Sequence, residues 1–105
     1  MQKVLLTHKE FPSDVLRDIK KVASILVRHG AVKIVLYGSL ARGDYRLDSD
    51  IDICFEGIPD KAYFRALAEC LMETHRRLSV LDFEDIQGYL RERILKEGKI
   101  LHGPE

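Results

Sequence analysis

Two aspartates, Asp50 and Asp52, head an alternating run, Asp50-Ile51-Asp52-Ile53, whose period of two is that of a strand with one polar face. Residues i and i+2 of a strand project from the same side, about 6.6 Å apart along it. The two carboxylates can therefore converge on one cation, or on two. Hard oxygen ligands of this kind suit Mg²⁺, which keeps several waters and takes phosphate oxygens as further ligands. Upstream, Gly38-Ser39 follows an apolar run. A glycine there lets backbone N–H groups approach a phosphate closely, and the Ser39 hydroxyl adds a donor. Together these residues make a triphosphate-plus-metal site, in which phosphoryl or nucleotidyl transfer would rest on positioning and charge neutralisation.

Charge is distributed to match. The 105 residues carry 17 basic and 17 acidic side chains, but residues 36–60 hold two basic against six acidic ones. Residues 1–35 hold seven basic against three acidic, and the remainder balances at eight each. Packed carboxylates repel unless a metal or a basic group sits among them. Taken singly, the same residues have plainer readings: Gly38 and Gly43 as turn glycines, Ser49 as a strand-entry cap, the aspartates as a solvated strand edge.

The elements that must hold the site follow from periodicity. Ser13 to His29 reads as a helix, capped by Ser13 or Asp14, with Val15, Ile19, Val22, Ile25 and Leu26 inward and Gly30 closing it. Val32–Tyr37 and Asp50–Phe55 read as strands, with Gly38–Gly43 a turn or short helix after the first. Pro59 opens a second long helix, about Asp60 to Arg77, with Phe64, Leu67, Ala68, Leu71 and Met72 on its inner face. Leu78–Phe83 is a third strand. A last helix runs from about Ile86 to Glu97, with Tyr89, Leu90, Ile94 and Leu95 inward and Gly98 at its end. This order implies an α/β or α+β fold, a small mixed sheet of three or more strands flanked by about four helices. Length and composition set one domain, 1–105, with its core at about 13–102. Residues 1–10 and the Gly103-Pro104-Glu105 tail are expected to fray.

Residues 38–52, Gly-Ser-Leu-Ala-Arg-Gly-Asp-Tyr-Arg-Leu-Asp-Ser-Asp-Ile-Asp, resemble the signature of the DNA polymerase β-type nucleotidyltransferase superfamily. More closely they are similar to the minimal nucleotidyltransferases, small proteins often paired with HEPN proteins. Gly38, Ser39, Arg42, Gly43, Ser49, Asp50 and Asp52 carry the match, which continues into Ile94-Leu95-Lys96-Glu97-Gly98-Lys99-Ile100-Leu101. The resemblance implies that Gly38, Ser39, Arg42, Gly43 and Ser49 serve the nucleotide and that Asp50 and Asp52 are catalytic, holding Mg²⁺ or Mn²⁺. It implies ATP or another nucleoside triphosphate as substrate and transfer of AMP to a hydroxyl. The acceptor would sit on a HEPN-type toxin, this protein being its antitoxin in a type VII-like pair. A homodimer is also compatible.

One position departs. Active members of the family place a third carboxylate on a later strand, facing the first two. Counting back from Lys96-Glu97-Gly98 without gaps puts Ser79 there, in Leu78-Ser79-Val80-Leu81-Asp82-Phe83. Asp82 has the opposite parity and could replace it only through a bulge or a one-residue slip. A serine hydroxyl coordinates Mg²⁺ weakly and is no general base at neutral pH. The alternative function is therefore a binding module that keeps the fold and neutralises or scaffolds a partner without chemistry.

The remaining residues add little. Arg42 would brace its turn or pair with Asp44, and Arg76-Arg77 reads as a solvated helix end. The four histidines have no ligand spacing. Cys54 falls on the face of Asp50 and Asp52, and Cys70 lies in the second long helix without a partner. Cysteines in no framework fit a reducing compartment, hence a cytoplasmic protein. The longest apolar runs are too short to cross a bilayer, and nothing at the N-terminus reads as a targeting segment. Zero net charge, with no basic patch interleaved with aromatics, argues against direct nucleic-acid binding.

Overall fold

The structure is a computed structural model that describes residues 1–3 and 11–105. Pro12 starts the first helix: its carbonyl accepts from Leu16 N–H at 2.9 Å. Ser13 and Asp14, expected as caps, instead lie inside helix α1 (Ser13–Arg28), which has no side-chain cap. Its inward set is as the spacing requires, with Val15, Ile19, Val22, Ile25 and Leu26 all buried. Each such side chain contributes roughly 1.5–3 kcal/mol on leaving water. His29 ends the helix, and Gly30 turns the chain into β2 (Lys33–Tyr37).

Helix α2 (Gly38–Arg42) follows without a linker, and β3 (Ile51–Glu56), α3 (Asp60–Glu73) and β4 (Leu78–Asp82) complete the middle of the chain. A 3₁₀ turn (Phe83–Asp85), helix α4 (Gly88–Glu97) and strand β5 (Lys99–His102) close it, while Gln2–Lys3 forms β1. The sheet runs β1-β5-β2-β3-β4. β2 is antiparallel to both β3 and β5, whereas β4 is parallel to β3 and β1 to β5. The expected α+β class holds. β1 and β5 are additions to the three strands read from periodicity, and residues 4–10 lie outside the described residues.

Period two sorts β3 between two cores. Ile51, Ile53 and Phe55 join the α1 side, with Val22, Leu26, Ile34, Leu36 and Val80. Cys54 joins a smaller core of Val35, Tyr37, Phe83, Ile86, Ile94 and Ile100 on the other face. Asp52, of the same parity as Cys54, thus belongs to the second face, at the end of the sheet that α2 covers.

The two later helices differ from expectation. α3 stops at Glu73, with Thr74 in extended backbone, so Arg76 and Arg77 are not helical. Of its expected inner face, Phe64, Leu71 and Met72 are exposed, as is Ala68. Ala66 and Cys70 are buried instead, with Ala62, Tyr63 and Leu67 packed beside them. Two apolar stripes run along this helix at helical spacing, and the one with smaller residues allows the closer approach to the sheet. In α4, which begins two residues later than expected, only Ile94 is buried, while Tyr89, Leu90 and Leu95 face outward. Arg91 takes the inner place: its guanidinium stacks 4.1 Å above the Phe83 ring and donates to the carbonyls of Phe83 and Ile86.

Candidate functional site

Three strands deliver one row of side chains. Tyr37 at the end of β2 lies opposite Asp52 of β3, and Asp52 lies beside Ser79 of β4. The chain leaves Tyr37 through Gly38, whose φ of 75° suits a residue without a side chain. Space imposes the same choice. A Cβ on Gly38 would collide with Asp52 Oδ2 and sit 3.1 Å from its Cγ. The backbone that opens α2 is thereby pressed onto the Asp52 carboxylate. Leu40, buried at 3% exposure, anchors this short helix in the α1-side core. Gly43, at φ 87°, ends it with its N–H on Ser39 O at 2.9 Å.

The carboxylates are only partly matched by counter-charge. Burial first, and then the neighbouring charge of Asp50, hold the Asp52 carboxyl above the usual aspartate range, with Arg42 opposing. Asp50 stands just before β3, and its Oδ1 lies 3.0 Å from Arg77 Nε. No N–H points at that oxygen, which is shielded from solvent and makes no hydrogen bond. The contact is one of charge alone, and Arg77 is 79% exposed. Arg76 differs: 13% exposed, it donates to Leu47 O at 2.7 Å, Ser49 O at 3.4 Å and Asp14 Oδ2 at 3.1 Å. It ties the loop before Asp50 to α1, so of the reading of Arg76-Arg77 as a solvated helix end, the helix end is corrected for both residues and the solvation for Arg76 alone.

Other residues of the expected set brace the site. Ser49 Oγ accepts from Arg46 N–H at 2.7 Å, closing the loop on itself. Arg42 Nε lies 3.2 Å from Asp44 Oδ2, and its Nη1 lies 3.6 Å from Glu97 Oε2, linking α2 to α4. Asp82 is registered with Phe55, with the parity of the α1-side core, and Asp82 Oδ1 accepts from Glu84 N–H at 3.0 Å. No slip of β4 brings it to Asp52; Ser79 occupies that place. Cys54 is buried, its thiol pushed up to about 12, mainly by burial. Burial likewise holds the Tyr37 phenol above its usual range, with Ser79 beside it acting in the opposite sense.

Sequence reasoning passed over Tyr37 and Arg77. Tyr37 could have been found from its place directly before Gly38, and Arg77 from its parity with Ser79, once β4 is read as starting right after it. A cavity of about 490 Å³ is lined by Asp14, Ser49, Arg76 and Arg77 among others, but by neither Asp50 nor Asp52. A larger one, about 570 Å³, follows α1 from Ser13 to Arg28 and reaches neither carboxylate.

The residues fit a divalent cation. A solvent-shielded carboxylate oxygen that makes no hydrogen bond and meets only the exposed Arg77 stands near a second carboxylate resisting ionisation, an arrangement that a cation relieves. Asp50 and Asp52 would hold it. Among the described residues, no cluster of three or more Asp, Glu, His or Cys side chains forms, and Ser79 offers only a hydroxyl.

Residues 20–104 match the family described as polymerase beta nucleotidyltransferase. The chain belongs to that family, and its relatives are minimal nucleotidyltransferases. Two Methanocaldococcus jannaschii proteins named as candidate protein adenylyltransferases are similar to it. One is 35% identical over 72 residues, 69% of this chain and only 56% of the relative's length. The other is 33% identical over 86 residues, covering 78% of this chain and 92% of the relative. A solved candidate minimal nucleotidyltransferase superposes with a TM-score of 0.62 at 29% identity, over 78% of this chain and 86% of that one. A toxin–antitoxin structure with AMP-PNP shares the fold, with a TM-score of 0.69 at 21% identity over 82% of this chain and 73% of that one. No helix among the described residues is long and apolar enough to cross a membrane.

Proposed function

We propose that this nucleotidyltransferase binds ATP with a divalent cation, Mg²⁺ or Mn²⁺, and transfers AMP to a hydroxyl of a protein partner, a HEPN-type toxin. The observation that carries the reading is the pressing of the Gly38 turn onto Asp52. It puts the backbone suited to a triphosphate against the carboxylate suited to its cation. The names of the M. jannaschii relatives support protein adenylylation, and the toxin–antitoxin neighbours support a protein partner. In the reaction the acceptor oxygen would bond to the α-phosphorus, the bond from that phosphorus to the α,β-bridging oxygen would break, pyrophosphate would leave and the hydroxyl proton would pass to a base. A bound cation would neutralise phosphate charge. Gly38 and Ser39 would orient the phosphates, Asp50 and Asp52 would hold the cation, and Arg42 would brace the turn.

Ser79 favours a second reading. It stands beside Asp52, where a third carboxylate would complete the metal site and take the acceptor proton. A chain without that base could bind nucleotide and partner yet transfer little or nothing. Calorimetric titration with ATP, with and without Mg²⁺, tests the site, using an Asp50→Asn/Asp52→Asn double variant as control. Metal-dependent binding lost in the variant is expected, and absence of binding in the unaltered protein overturns both the nucleotide and metal assignments. Label transfer from α-labelled ATP to a co-expressed HEPN-type protein then separates catalysis from binding alone.

A further inference from the structure

β4 enters the site through Arg77 and Ser79, two residues of one parity. Asp52 is registered with Ser79 and Ile51 with Leu78, so Asp50 and Arg77 stand opposite each other one step before the paired residues. Ile51 N–H donates to Arg77 O at 3.0 Å, which fixes the Arg77 backbone beside Asp50. The side chain is held less. Its Nε lies 3.0 Å from Asp50 Oδ1 without a directed hydrogen bond, and most of its surface is in solvent. Arg76 alongside is engaged with the 47–49 loop and Asp14 and cannot exchange partners without releasing that loop. Apart from Arg42, which is paired with Asp44 and Glu97, the site thus offers two carboxylates and one guanidinium.

We infer that Arg77 is the second positive charge of this site: it competes with a divalent cation for Asp50 and, displaced by that cation, turns its guanidinium to the triphosphate. This rests on the nucleotide-binding reading above and adds a residue to it. One cation plus one arginine balances both carboxylates and leaves one positive charge toward the triphosphate. Arginine suits the second task because its planar fork matches phosphate oxygens. The weak, exposed contact with Asp50 leaves it free to move.

The two roles give effects of opposite sign when the charge is removed. In Arg77→Gln, Mn²⁺ alone, followed by electron paramagnetic resonance of the free ion, should bind about three- to tenfold more tightly, because a competing charge is gone. A non-hydrolysable ATP analogue at saturating Mn²⁺ should bind the same variant about three- to tenfold more weakly. Arg77→Lys should keep both affinities closer to the unaltered protein. With one analogue bound per protein, the complex should hold one Mn²⁺ in total, where a two-cation site would hold two. Arg77→Gln with both affinities unchanged, or both weakened together, overturns the inference while leaving the functional reading standing. Failure of the unaltered protein to bind Mn²⁺ and analogue at all overturns both. Because Arg77 is mostly exposed, the variant's fold can be checked by circular dichroism alongside.

Discussion

β3 and β4 run parallel, side by side, and bring opposite chemistry to the same end of the sheet. β3 is preceded by Asp50 and carries Asp52, both matching the family pattern, and its alternate residues Ile51, Ile53 and Phe55 are fully buried. β4 answers with Arg77 and Ser79, a cation and a hydroxyl, next to those carboxylates. β3 is central, fixed by neighbours on both sides, and its polar face keeps the charges that repel each other. β4 is an edge strand, and it places a hydroxyl beside Asp52 where a carboxylate would strengthen the repulsion. The difference teaches that binding and chemistry can come apart within one fold. The half of the site proposed to bind a metal-bound triphosphate sits on the strand with most support, and the half where a proton-accepting group would stand sits on the strand with least.

The largest effect expected breaks the β3 half. Asp50→Asn/Asp52→Asn removes both charged ligands and should lower affinity for ATP at saturating Mg²⁺ by about 100-fold or more, read by calorimetry. Next in size is Gly38→Ala. The added Cβ meets the Asp52 carboxylate and must adopt a φ of 75°. The backbone conformation alone costs about 1–2 kcal/mol, and the displaced carboxylate should weaken metal-dependent nucleotide binding by about tenfold. A denaturant titration and an ATP titration on the same variant separate the two losses. Undiminished nucleotide affinity would show that the turn and the carboxylate do not act together.

The same contrast explains what could be read from residues alone. α1 has one apolar stripe, so Val15, Ile19, Val22, Ile25 and Leu26 could face only one way, and they do. The alternation in β3 is equally unambiguous, because a register shift would expose isoleucines and bury aspartates. α3 carries two stripes, Phe64-Ala68-Leu71-Met72 and Ala62-Tyr63-Ala66-Cys70, and helical period alone cannot choose between them. The sheet chose the smaller residues, which depends on the distance between helix and strands. α4 hid its inner face differently, by stacking the Arg91 guanidinium over Phe83 where hydrophobicity pointed to Tyr89 and Leu90. Asp50, Asp52 and Gly38 were visible because local spacing encodes them. Arg77 was not, because its role depends on where α3 ends, and that is set by the pairing of Ile51 N–H with Arg77 O.

Ser79→Asp sharpens the contrast by restoring a carboxylate on β4 beside Asp52. The third charge should tighten Mn²⁺ binding by about fivefold to tenfold, measured by electron paramagnetic resonance. If AMP transfer is limited by the missing base, the rate of label transfer should rise with it. Without metal, the same charge adds repulsion to a site already short of cations, so the metal-free variant should melt a few degrees lower, about 2–5 °C. Tighter metal binding together with lower metal-free stability is the signature of a carboxylate that faces the other two. A Ser79→Asn variant, of similar size without the charge, should show neither change.

The smallest effect concerns Asp52 itself. Its carboxyl is held above the usual aspartate range by burial and by Asp50, so in the folded chain it takes up a proton at a higher pH than in the unfolded chain. Such a group stabilises the fold at acid pH, and that contribution is lost as pH rises through the folded value. Asp52→Asn should therefore raise the melting temperature of the metal-free protein at neutral pH by about 1–2 °C, a small gain because the side chain is only partly buried. The difference from the unaltered protein should shrink as pH falls through the Asp52 range. Cation binding runs in the other direction, since it needs the ionised carboxylate: Mn²⁺ affinity should begin to fall on acidification at a higher pH than an ordinary aspartate site would show. A melting temperature lowered by Asp52→Asn would mean that the charge already has a partner in the folded chain.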